Sequence, residues 1–408
     1  MKPMGPIPEG YEAIGGELAI GGRPVSALIE EAGGTPLFVY SADLIRRRIT
    51  RLRAAMPDRL RLHYAVKANP YRPLLELMRS LVDGFDIASV GELEMAVATG
   101  QDAAAISFAG PGKRDIELEM AVRRGATINL ESAGEARRAL AAGERLGVTP
   151  RLAVRVNPAF ELRGSGMKMG GGAKPFGVDA ERVPALAREV IDAGAEWRGL
   201  HIFAGSQALD AEAVVEMQAN VLELAARLTG EIGAPLLHLN MGGGFGVPYF
   251  HGDQPLDVRR VGEALSERFA RLPAELVNTE FAIELGRYLV GEAGVYLTRI
   301  VDRKESHGQV FLVADGGLHH QLAASGNFGT VVRRNYPAAI ATKFALEGEE
   351  RASIVGCLCT PLDRLADQVN VPRAEAGDVV AIFCAGAYGA TASPSAFLGH
   401  GPAREMLV

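Results

Sequence analysis

Between residues 62 and 286, short β-rich segments alternate with stretches of helical pattern. The segments are LHYAV (62–66), GFDIAS (84–89), AISFAG (105–110), TINLES (127–132), RLAVRVN (151–157), GLHIFAG (199–205), LLHLNMGG (236–243) and EFAIELG (280–286). Between them lie stretches such as PLLELMRSLV, VGELEMAVATG and AGEARRALAAGERLG. Eight strands alternating with helices predict a (β/α)8 barrel, with a doubly wound open sheet as the competing arrangement. From about residue 290 strand-like pieces (GVYLTRIV, QVFLVADGG, ASIVGCLC, DVVAIFCAGAYG) follow one another without regular helices, which predicts a mainly β domain. The N-terminal GGELAIGG is β-like and is expected to join it. The expected division is a barrel over 36–288 and a β domain made of 1–35 plus 289–408.

The net charge of -6 argues against general nucleic-acid binding, which needs clustered positive charge. The arginines of RRRITRLR (46–53) read as the solvated face of a helix. Three cysteines, Cys357, Cys359 and Cys384, are too few for a disulfide framework in a chain of 408 residues and suit a reducing compartment. They lack paired CxxC spacing, and no metal site is expected. His319 and His320 are adjacent, and neighbouring strand residues point to opposite faces, so a shared ion is not expected there either. With no apolar leader and no run near the roughly 20 residues of a membrane span, the expected location is the cytoplasm.

In a barrel enzyme chemistry gathers where strands end. Here Lys67 follows the first segment and Asp86 lies in the second. GPGK (110–113) follows the third, and Glu131 ends the fourth. Arg155 and Asn157 close the fifth, and His201 lies in the sixth. GGGFG (242–246) follows the seventh, and ELGR (284–287) closes the eighth. A glycine run lets backbone N–H groups approach an anion, and barrel phosphate sites favour the loops after strands seven and eight. A buried lysine beside a phosphate cradle points to pyridoxal phosphate, held as a Schiff base by an amine that desolvation makes reactive.

Taken in order, YAVKANP, FDIASVGELE, GLHIFAGSQ, GGGFG, ELGR, CLCTPLD and GAYG resemble the fold-III pyridoxal-phosphate decarboxylases, the family of diaminopimelate, ornithine and arginine decarboxylases. The resemblance spans nearly the whole chain. It implies a barrel plus β-sandwich domain, an amino-acid substrate, and a homodimer with shared active sites. It further implies that Lys67 carries the cofactor, Glu284 pairs with the pyridine nitrogen, His201 stacks on the ring, and Asp86 lies near the Schiff base. Gly243, Gly244, Gly246 and Arg287 would hold the phosphate region, with Tyr388 contributing from the partner subunit. Cys359 matches the cysteine that protonates the carbon after CO2 loss, and Asp363 matches the acidic end of its motif. Substrate contacts are expected from Arg287, Arg333, Arg334, Tyr336 and Asp363.

The chain departs from the family pattern at three places. ELGR stands where EPGR is usual. Thr360 stands where diaminopimelate decarboxylases carry a glutamate that contacts the substrate amine. VRRNYP (332–337) replaces the usual RPALY. The last two fall on substrate recognition. SGMKMGGGAKPFG (165–177), GGGFGVPYF (242–250), DGGLHHQLAASGNFG (315–329) and SPSAFLGH (393–400) are similar to two subgroups, with the stronger match to the first. One is the decarboxylases associated with exosortase systems. The other is the butirosin-type decarboxylase, which acts on glutamate carried on an acyl carrier protein. The expected activity is decarboxylation of an amino acid or a derivative, free or carrier-tethered. The alternatives are a diaminopimelate decarboxylase, a racemase, or a cofactor-binding homologue without turnover. Glu284 opposes racemisation, and retention of Lys67, Glu284 and Cys359 opposes loss of turnover.

Overall fold

The computed structural model describes residues 2–164, 166–168, 170–327 and 333–408. Of the sequence stretches named for the subgroups and the substrate region, Ser165, Met169, Phe328, Gly329 and Val332 lie outside the described residues. The chain forms two compact units. One comprises Ile49–Gly246 and Pro255–Gly286; the other comprises Met1–Arg48, Val247–Gln254 and Arg287–Val408.

The first unit is a closed parallel barrel. Its strands are β1 (Leu60–Ala65), β2 (Gly84–Ile87), β3 (Ile106–Phe108), β4 (Thr127–Leu130), β5 (Arg151–Asn157), β6 (Glu196–Ile202), β7 (His238–Asn240) and β8 (Glu280–Leu285). Each pairs in parallel with the next, and β8 returns to β1. Closure excludes the open-sheet alternative. All eight β-rich segments are strands, with ends moved by a few residues.

The strands alternate, and alternation decides what faces inward. Phe85, Phe108, Ile128, Leu130, Leu152, Val154, Leu239 and Phe281 are buried on one face. The other face carries His63, Asp86, Ser107, Asn129, Arg155, His201, Asn240 and Glu284, which are also buried. These polar residues meet one another across the barrel. Asn129 Nδ2 donates to Ser107 Oγ at 2.6 Å, and Arg155 Nη1 donates to Glu131 Oε1 at 2.8 Å. Buried polar groups call for partners, and these pairs give the interior a polar lining.

The second unit is built on a mainly antiparallel sheet. Its long strand Gly294–Ser306 pairs at one end with Leu37–Tyr40 and Val379–Ile382. At the other end it pairs with Gln309–Ala314, across a register shift between Ile300 and Asp302. Leu37–Tyr40 also pairs with Arg404–Leu407. The boundary expected at residue 36 therefore needs correction, because residues 37–40 belong to this sheet and not to the barrel. Val39, Val295, Leu297, Ala381 and Phe383 form its core together with Leu18 and Ile20, so the N-terminal β segment does join this unit. Among the described residues, no helix is long and apolar enough to cross a membrane.

Candidate active site

The barrel site is assembled at the C-terminal ends of its strands. After β1 the chain makes one 3-10 turn, Val66–Ala68, with Lys67 at its centre. Asn69 fixes the path of the chain beyond that turn. Its carbonyl accepts from Tyr64 Oη at 2.9 Å, and its Oδ1 accepts from the Tyr71 N–H at 3.0 Å. The lysine was expected to be buried; it is exposed, because the turn carries it beyond the last inward position of β1. Its Nζ lies 5.8 Å from the centre of the Phe203 ring.

Below it runs a buried polar row. His201 Nε2 is 3.1 Å from Glu284 Oε2, a close approach outside hydrogen-bond geometry. Both ring nitrogens of His201 are otherwise buried without a partner. Asn240 Nδ2 donates to the same Glu284 oxygen at 3.0 Å and approaches Asp86 Oδ1 at 3.5 Å. Asp86 Oδ2 in turn lies 3.3 Å from His63 Nδ1. Burial alone would raise the Glu284 pKa. The His201 imidazole, Lys67 and Arg155 outweigh burial and hold the carboxyl down at about 2, so it is anionic at any working pH. Burial would lower the His63 pKa, but Asp86, Glu284 and Asp83 raise it above the ordinary value.

The glycine run is required by close approach. A Cβ on Gly243 would collide with the carbonyl oxygen of Glu284, and one on Gly246 would lie 2.9 Å from that of Ala208. Gly244 has φ +81°, a conformation other residues adopt only under strain. The Gly242 N–H donates to Asn240 Oδ1 at 2.9 Å, and the Gly246 N–H donates to the Ala208 carbonyl at 2.8 Å. The run thus fastens β7, β8 and the loop after β6 into one cradle.

The remaining expected residues belong to the second unit. Arg287 is ringed by tyrosines. Its Nη1 donates to Tyr249 Oη at 3.1 Å, and its guanidinium lies 4.8 Å from the Tyr388 ring centre. Its Nε is buried without a partner. Burial would lower its pKa, but the phenols of Tyr249 and Tyr388 raise it, so it stays charged. Tyr388 was expected to act from the partner subunit, yet it packs on Arg287 of its own chain. It does so with φ +56°, a left-handed conformation that costs a bulky residue about 1–3 kcal/mol. Tyr336 is buried with its ring 4.7 Å from that of Tyr249, so it supports the arginine cluster. Arg334 is exposed, with its guanidinium 3.8 Å from the Phe250 ring centre, and Arg333 Nη2 donates to the Leu362 carbonyl at 3.3 Å.

Cys359 is exposed on the loop after the strand Glu350–Val355. Asp363 closes that loop. Its Oδ1 accepts from the Leu318 N–H at 2.6 Å, and its Oδ2 accepts from the Leu358 N–H at 2.8 Å. A Cβ at Gly317 or Gly356 would collide with those oxygens. Asp363 therefore clasps two turns together instead of presenting a free carboxylate to substrate. Thr360 Oγ1 accepts from the Leu362 N–H at 3.3 Å.

His63, Ser107, Asn129 and Asn240 are members of the barrel network that the reading of strand ends passed over. All four sit inside strands, and the signal that finds them is parity. Asn240 is in register with His201, and His63 with Glu284.

Comparison with known proteins bears on what this barrel does. The family described as pyridoxal-dependent decarboxylase, pyridoxal binding domain, matches residues 42–291. The chain belongs to this family. The L-glutamyl-[BtrI acyl-carrier protein] decarboxylase of Niallia circulans is 36% identical to it over 91% of this chain and 88% of the relative. The diaminopimelate decarboxylase of Methanothermobacter thermautotrophicus is 32% identical over 91% of this chain and 86% of its own. Among solved structures, diaminopimelate decarboxylase from M. jannaschii in co-complex with L-lysine superposes with a TM-score of 0.86 at 25% identity, covering 98% of this chain and 93% of that one.

The chain is thus a pyridoxal-phosphate-dependent decarboxylase of an amino acid or an amino-acid derivative. Its barrel residues fit that cofactor. Lys67 offers an accessible amine, Glu284 an anion for a protonated ring nitrogen, and His201 a buried ring with unmet nitrogens. The glycine run offers a cradle that side chains would fill.

Proposed function

We propose that this decarboxylase acts on an amino acid whose side chain is tethered to an acyl carrier protein, and that it does so as a homodimer. One observation carries the reading: the relative at 36% identity, aligned over nearly the full length of both chains, is named for such a substrate. The loop chemistry is consistent with it. Diaminopimelate brings a second free ammonium, and at position 360 the chain offers a hydroxyl that accepts from its own backbone instead of a carboxylate. Arg333 and Arg334 lie side by side, half-buried and exposed, where an acidic carrier could meet them.

Bound pyridoxal phosphate supplies the electron sink for the pair left when CO2 departs. Lys67 would hold the cofactor through its side-chain amine. Glu284, kept anionic chiefly by His201, would favour a protonated ring nitrogen. His201 would help to hold the cofactor ring. Asn240 orients the Glu284 carboxylate, and Asp86 acts behind it through Asn240 and His63. Gly243, Gly244 and Gly246 would cradle the phosphate, and within the second unit Tyr388 and Tyr336 fix Arg287. Cys359, from the partner subunit, returns a proton to the carbon that lost CO2.

The test compares kcat/KM for CO2 release from free diaminopimelate, lysine, ornithine, arginine and glutamate with that from aminoacyl-carrier conjugates. The proposal predicts that the glutamyl conjugate is preferred. A free amino acid turned over at about 10⁴ M⁻¹s⁻¹ or better, within the ordinary enzyme range, would overturn it.

A further inference from the structure

Three segments of the β unit converge on one point. The turn after Gln309–Ala314 brings His319, the loop after Glu350–Val355 brings Cys357, and the residue after Phe397–Gly399 is His400. One ligand atom from each lies within 4.8 Å of the other two. Cys357 Sγ is 3.9 Å from His400 Nε2, and the His319 and His400 rings are 4.8 Å apart between centres.

The histidine pair divides in role. Residues 318–320 form a turn, not a strand, so the expectation of opposite faces does not apply, and the two rings lie 3.8 Å apart. His320 is satisfied: Nδ1 is 3.0 Å from Tyr296 Oη, and Nε2 is 3.0 Å from the Gly401 carbonyl. His319 is 0% exposed, and neither of its nitrogens has a hydrogen-bond partner. A buried polar atom left unmet costs about 1–3 kcal/mol, so such an imidazole beside a thiol and a second imidazole calls for a ligand.

We propose that His319, Cys357 and His400 bind a zinc-class divalent ion. Two imidazoles and a thiolate form a borderline-soft donor set, which selects zinc over magnesium or calcium. Zinc bonds of about 2.3 Å to sulfur and about 2.0–2.1 Å to nitrogen put tetrahedral ligand atoms roughly 3.3–3.6 Å apart. The observed spacings need only a small closure, and the exposed His400 is free to make it. Cys357 gives up its thiol proton to solvent on binding. Three protein ligands leave the fourth position, on the side of exposed His400, for water or an added ligand.

The ion would tie together the same two turns that Asp363 clasps, since Leu318 and Leu358 neighbour His319 and Cys357. Cys359 lies two residues beyond Cys357. The ion would therefore hold the loop that carries it, and would keep the Cys357 thiolate from forming a disulfide with it. This inference is independent of the substrate.

The test is metal analysis of the tag-free, cofactor-loaded protein after incubation with Zn2+ and desalting. The expected result is about one zinc per chain. Affinity should fall tenfold or more, about the loss typical of a damaged metal site, in Cys357→Ser, His319→Ala and His400→Ala. His400→Ala removes an exposed side chain, and unchanged circular dichroism in that variant separates ligand loss from misfolding. With Co2+, thiolate-to-metal charge-transfer absorption should appear in the wild type and vanish in Cys357→Ser. A wild type that retains no stoichiometric zinc overturns the site. So do Cys357→Ser and His400→Ala proteins that bind as the wild type does.

Discussion

Replacing Glu284 with glutamine tests the barrel site at its most polarised point. The change keeps shape and one acceptor oxygen, so Asn240 Nδ2, now 3.0 Å from Oε2, retains a partner. What is lost is the charge. The surroundings hold this carboxyl at about 2, against an ordinary 4.5, so the site favours a negative charge at that atom. At 1.36 kcal/mol per pKa unit, that preference is on the order of 3 kcal/mol. Removing one preorganised charge aimed at developing charge costs about 2.7–4 kcal/mol, which sets the scale of the loss. The expected effect is a fall in kcat of about 10²–10³-fold, with bound cofactor retained. Single-turnover CO2 release at saturating pyridoxal phosphate is the assay, with cofactor content measured on the same sample. A variant within about fivefold of the wild type would refute control of the ring nitrogen by this carboxylate, since that is under about 1 kcal/mol.

Other outcomes rest on the same contacts. Because the folded His63 pKa is raised by Asp86, its stabilising charge is fully present below the unfolded value near 6.5 and is lost as pH rises through the folded one. The stability gap between wild type and His63→Gln, read by chemical denaturation, should therefore be widest at pH 6 and shrink toward pH 9; a gap that widens with pH contradicts the pairing. Asp363→Asn leaves an N–H facing an amide donor, at a cost of about 1–3 kcal/mol in stability, and should lower kcat more than KM by loosening the Cys359 loop; unchanged melting and turnover would show that the clasp is dispensable. Mixing inactive Lys67→Ala with inactive Cys359→Ala should restore part of the activity if sites are shared between subunits, and no recovery despite proven subunit exchange would exclude sharing.

Much of the barrel was legible because its signal is local. Each strand alternates over a few residues, and each is followed by a helical stretch, so GFDIAS and RLAVRVN announce themselves without their partners. Leu37–Tyr40 shows the limit. Four apolar residues read as a strand in any sheet, and the partners that assign this one begin at Gly294 and Arg404. The same distance hides Asp363, whose contact with the Leu318 N–H spans 45 residues and leaves no local pattern. The exposure of Lys67 was not legible, because it is set by a single 3-10 turn after β1. The packing of Tyr388 on Arg287 of its own chain was not legible, because the two residues are about a hundred positions apart and Tyr388 reaches it from a left-handed backbone. His319, Cys357 and His400 lie far apart in sequence and meet only when three loops close.

The most direct test of the central claim is to locate the covalent cofactor. Borohydride reduction of the pyridoxal-phosphate-loaded protein, followed by peptide mass spectrometry, should place the phosphopyridoxyl group on the peptide that contains Lys67, and a Lys67→Ala protein should carry none. A label on a different lysine, or one that persists at wild-type yield in Lys67→Ala, would contradict the assignment of this barrel mouth as the site where the substrate loses CO2.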